Sequence, residues 1–174
     1  MDQLAKYQTF WSQLSELESK LPPFLDWNQR NSALSNHPIL SVQRPFIEAQ
    51  IACLRLKLAR SIADLDPALL DKFRSMWDIG YLNSEAMTSG SRVIEIVRDI
   101  GINSSCYRFY HFEVLRTLVS LIRLLLGMRK VGNVFADEMA QVESMCREGV
   151  ELSRRLVPLA YAKVEEKISL TLDL

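Results

Sequence analysis

Two histidines, three cysteines and 21 acidic side chains are the residues of this 174-residue chain whose types support catalysis or metal binding. His37 lies in a polar stretch and His111 opens an apolar one, so they are not the paired ligands that one helix turn offers a metal. Cys53, Cys106 and Cys146 never form a C-x-x-C pattern and read as reduced core thiols. His111, near Cys106 and Glu113, is the one grouping in which an imidazole would raise a thiolate fraction if the members met. Separation across a turn does not ensure that contact, and packing is the ordinary role of such a thiol. Glu165 with Glu166, and Asp137 with Glu138, are chain neighbours and point to different parts of a helix surface. Ser89-Gly90-Ser91 is not a nucleotide cradle, and no G-x-G-x-x-G, phosphate loop or G-x-S-x-G elbow occurs. These residues predict a chain that is not an enzyme and needs neither cofactor nor metal.

The most specific charged feature is Arg116, Arg123 and Lys130, which with Ser120 and Gly127 fall within a narrow arc of a helix. Such a stripe docks an anion or an acidic helix, or is simply a solvated face carrying ion pairs. Val114, Leu115, Leu118, Val119, Leu121, Ile122 and Leu125 cover the rest, which predicts a nearly buried helix with one polar edge. Met128, Met139 and Met145 either line an adaptable apolar pocket or fill the core. Tyr107, Phe109, Tyr110 and Phe112 read mainly as core, because a base-stacking platform needs more cations nearby than Arg108.

The elements that must position these residues are helical throughout. Leu4, Tyr7, Trp11, Leu14 and Leu17 repeat at three and four residues until Leu21-Pro22-Pro23 stops them. Residues 28–37 are polar turn formers and predict the longest exposed loop. Ile47, Ile51, Leu54, Leu58 and Ile62 then hold a helical stripe, which outweighs the brief strand-like alternation at residues 54–58. Asp66-Pro67 starts a helix through Leu69, Leu70, Phe73 and Trp77 that Gly80 ends. Asn83 or Ser84 caps the next, with Val93, Ile94, Ile96, Val97 and Ile100 on its apolar side and Gly101 closing it. After a turn over 102–106, the nearly buried helix spans about 107–128. Val134, Phe135, Met139, Val142, Cys146 and Val150 form another stripe, Pro158 interrupts, and Leu159, Ala162, Val164, Ile168 and Leu170 predict a final helix.

The prediction is one all-α domain over residues 1–174, a bundle of about six or seven helices around that central helix. Zero formal net charge gives no electrostatic reason to expect direct nucleic-acid binding. The first residues lack a secretory pattern, and the stretch 114–128 is short for a bilayer and carries Arg116 and Arg123, so residence inside the cell and off the membrane is expected.

In order, these segments resemble the regulatory middle homology region of fungal-specific transcription factors. Trp11 to Leu21-Pro22-Pro23 is similar to the family's helix ending in Leu-Pro, and Phe46 to Arg60 to its long apolar helix ending in a basic position. Of the family's His-Arg-Pro corner, Leu58-Ala59-Arg60-Ser61 keeps only the Arg. Gly90-Ser91 and Ile94 match its small residues and Ile, where Met87 replaces a Cys, and Tyr107 to Phe112 leading into Leu115 to Leu126 matches its aromatic-then-leucine helix. The resemblance covers roughly residues 10–157 and implies the carboxy-terminal part of such a regulator, without the six-cysteine DNA-binding cluster. It implies nuclear residence and a module acting by protein interaction or regulatory restraint, with a small-molecule effector as an option. The alternative from the residues is a small-molecule-binding helical domain, open to enzyme activity, with an apolar pocket near the methionines.

Overall fold

The structure, a computed structural model, describes residues 3–26, 37–63, 79–100, 107–131 and 135–156. Among them every regular element is helical: α1 (Gln3–Ser19), a 3-10 turn (Pro23–Leu25), α2 (Pro38–Ala63), α3 (Ile79–Ile100), α4 (Tyr107–Val131) and α5 (Ala136–Leu156). The helices predicted from Asp66 and after Pro158, the turn over 102–106 and nearly all of the 28–37 loop lie outside the described residues. Pro22 and Pro23 end the first helical stretch as expected. Helix α5 carries Asp137 and Glu138 in its first turn and Arg154 and Arg155 in its last, the polarity that complements a helix dipole.

The strand-like run at 54–58 is helical, and its burial departs from the expected stripe. Leu54 is 44% exposed, whereas Ala49, Ala52, Cys53, Leu56, Ala59 and Ile62 are buried. Alanines give α2 a flat face, and its most extensive packing is against α3. Helix α3 begins a turn earlier than its cap residues predicted. Gly80 is inside it, and Asn83 is buried in its interior beside Leu82, because burying Leu82 and Ala86 outweighs local end signals. Arg44, buried on α2, donates through Nε to the Phe24 carbonyl at 2.5 Å and ties the 3-10 turn to the bundle.

Helix α4 packs against α2, α3 and α5. Two glycines set how closely its neighbours approach. A Cβ at Gly90 of α3 would lie 2.8 Å from Leu121 Cδ2, and one at Gly149 of α5 would lie 2.7 Å from Leu118 Cδ2. The core joins Leu56, Ile62, Leu82, Ile94, Leu118, Leu121 and Leu125 with Val142 and Cys146.

Candidate functional site

Helix α4 brings Arg116, Arg123 and Lys130 to one edge, at seven-residue spacing over about 21 Å of helix axis. Arg116 is anchored: its Nη1 donates to Glu113 Oε1 at 3.1 Å, and its guanidinium lies 5.6 Å from the Phe112 ring centroid. Glu113 is buried and also accepts from Gln50 Nε2 of α2 at 3.1 Å. Arg123 and Lys130 are exposed and make no ion pair among the described residues.

The remainder of α4 is less hidden than its composition predicted. Phe112, Val119 and Leu126 are 53%, 49% and 42% exposed, and they too repeat every seven residues. Apolar and basic side chains therefore interleave as Phe112, Arg116, Val119, Arg123, Leu126 and Lys130, the layout of a coiled-coil seam with one charged flank. Leu56 and Lys57 of α2 join Leu115, Arg116, Val119 and Arg123 around a hollow of about 330 Å³ beside it. Periodicity located the cations; it placed Val119 on the buried side because a single helix does not show where its neighbours stop.

The grouping of His111, Cys106 and Glu113 is not assembled by the described residues. Cys106 lies outside them, and Glu113 turns to Gln50 and Arg116. His111 instead places Nε2 2.9 Å from Ser153 Oγ of α5, a partner that no sequence motif signalled. Both residues are at most 1% exposed, and the pair joins α4 to α5. Ser153→Ala, which leaves a ring nitrogen facing a methyl group, is expected to cost about 1–3 kcal/mol, read from the urea midpoint at unchanged slope.

Cys53 and Cys146 are free and buried. Burial first, and the Glu113 carboxylate second, push the Cys53 thiol up to about 12, against opposing influences from Thr117 and Arg116. Burial, with Glu143, raises Cys146 to about 12. Neither thiol has the character of a nucleophile.

On the other side of α2 a cleft of about 1270 Å³ opens among α1, α2, α3 and α5. Arg55 reaches Glu18 through Nε at 2.6 Å, Glu85 at 3.4 Å and Ser15 Oγ at 3.3 Å, with its guanidinium 5.6 Å from the Trp11 ring centroid. Its bond to Glu18 holds the guanidinium above its ordinary range. Arg92 binds Glu48 at 2.8 Å and Glu95 at 3.2 Å. The pairs of Arg55 with Glu18 and Glu85 and of Arg92 with Glu48 bridge distant chain segments and were invisible to spacing, whereas Arg92 and Glu95 are three residues apart on α3. Of the methionines read as core filling or as the lining of an apolar pocket, Met128 is core and Met139 and Met145 pack on the core, Met145 also lining the cleft with Met87.

Among the described residues no His, Cys, Asp and Glu group is arranged to hold a metal ion, and no helix is long and apolar enough to cross a membrane. Comparison with family models, curated proteins and solved structures finds no match to the chain.

Proposed function

We propose that this chain is a non-enzymatic helical module that docks an acidic amphipathic helix along the α4 seam, working as the interaction or restraining part of a transcription regulator. The observation that carries the docking reading is the interleaving of exposed Phe112, Val119 and Leu126 with Arg116, Arg123 and Lys130. Exposed apolar side chains in register are a binding signature, and a basic flank selects an acidic partner. The regulator class, nuclear residence and the absence of a DNA-binding cluster of its own belong to this proposal through the resemblance to fungal-specific transcription factors. So does a single bundle of six or seven helices about α4, a reading supported by the contacts of α4 with α2, α3 and α5.

The test uses a synthetic helix with Leu at its core positions and Glu on both flanks, titrated against the full chain by fluorescence anisotropy. Arg123→Glu with Lys130→Glu, the two cations without an ion pair among the described residues, is expected to weaken binding at least about tenfold and to leave circular dichroism unchanged. Equal binding of a helix with Lys in place of Glu defeats the reading. Deletion of the gene with no transcript altered, together with no protein recovered on the chain, counts against the regulator class.

A second reading, a small-molecule-binding domain, is favoured by the cleft of about 1270 Å³, a size that accommodates a ligand. Ligand-dependent elevation of the melting temperature tests it.

A further inference from the structure

We infer that the cleft over α3 and α5 binds an organic amine, a primary ammonium on an apolar body; this rests on the small-molecule reading and adds the ligand's chemistry. Among the described residues the walls contribute five glutamates against two arginines. Each arginine already holds two of those carboxylates: Arg55 takes Glu18 and Glu85, and Arg92 takes Glu48 and Glu95. The guanidiniums are therefore engaged, and the excess charge of the described walls is negative, which repels an anionic ligand. The fifth carboxylate, Glu138 in the first turn of α5, is half-buried and makes no ion pair among the described residues.

A second, independent feature points to the same place. Asn83 lines the cleft from α3, is only 6% exposed, and has no hydrogen-bond partner among the described residues. With no partner among the described residues and no atom among those shut away from solvent, its amide opens to the cleft and offers a donor and an acceptor to a polar ligand group. Phe135, Met87 and Met145 line the same cleft and supply apolar and polarisable contact for the rest of such a molecule. Ammonium at Glu138, a hydrogen bond at Asn83 and an apolar body against Phe135 and the methionines satisfy all three.

Calorimetric titration of the full chain with tryptamine, spermidine and indole-3-propionate tests this. Tryptamine is expected to bind saturably at one site, spermidine more weakly and indole-3-propionate not at all. Glu138→Gln and Asn83→Leu are each expected to weaken tryptamine about tenfold with circular dichroism unchanged, whereas Glu151→Gln, at an exposed ion pair with Arg155, leaves it unaltered. Should Asn83→Leu prevent folding, Glu138→Gln alone decides. Equal binding of indole-3-propionate and tryptamine overturns the ammonium assignment while supporting a small-molecule cleft. Tryptamine affinity untouched by Glu138→Gln, or lowered equally by Glu151→Gln, overturns the site. Absence of saturable binding by all three overturns both the inference and the reading beneath it.

Discussion

Gly90→Leu combined with Gly149→Leu is expected to abolish the cooperative thermal melt of the bundle. At both positions the first added atom already falls within 3.0 Å of a leucine methyl, on Leu121 and Leu118 respectively. Those leucines are fully buried, so neither has solvent into which to swing. Overpacking of this kind costs about 1–3 kcal/mol per site, occasionally more. Leu118 and Leu121 are three residues apart on one face of α4, so relief of one clash is opposed by the other and the costs couple. Against a typical domain stability of about 5–15 kcal/mol the pair is severe. Leucine is chosen over alanine because Gly→Ala gains up to about 1 kcal/mol in helix propensity, which masks the packing term. Circular dichroism melts provide the measurement, and Leu118→Ala added to Gly149→Leu is expected to restore part of the transition. A double variant that melts as the parent does would show that α3 and α5 do not approach α4 at these glycines.

The second large effect appears in alkali. Unfolded thiols ionise near the ordinary value of 9.0, whereas Cys53 and Cys146 in the fold hold their protons until about 12. Between those values the folded chain binds more protons than the unfolded one, so stability is full below about pH 9 and falls as pH rises toward 12. Each thiol contributes a slope of up to about 1.4 kcal/mol per pH unit in that window. Urea midpoints are expected to drop steeply there for the parent and less steeply for Cys53→Ala with Cys146→Ala. At pH 8, iodoacetamide is expected to leave the Cys53 and Cys146 peptides unmodified in the folded chain and to label both in guanidinium, as read by mass spectrometry. Rapid labelling of the native protein at either site would contradict their burial.

Local signals foresaw the helical class, the proline stop after α1, the start of α4 at Tyr107 and the charged edge of that helix. They foresaw less of what depends on neighbours. The stripe from Ile47 to Ile62 includes Leu54, yet Leu54 is exposed, because the close approach of α3 favours the alanine face of α2 instead. Gly149 sits inside a helix with no turn to announce it, and its purpose becomes visible only against Leu118. Arg55 finds Glu18 and Glu85 from two other helices, and Asn83, read as a cap, lines the cleft. Periodicity reports what one helix buries; it does not report which partner arrives, or at what depth.

The carboxylate of Glu113 has a consequence for recognition. One of its oxygens takes Gln50 in the interior and the same group grips Arg116 at the rim, so the first cation of the seam is clamped from within. Ordering a long side chain opposes association, and at Arg116 that ordering has already happened during folding. In the proposed docking, a helix would meet a fixed guanidinium at one end and two untethered cations farther along, which would make the Arg116 end the place for first contact and for setting register.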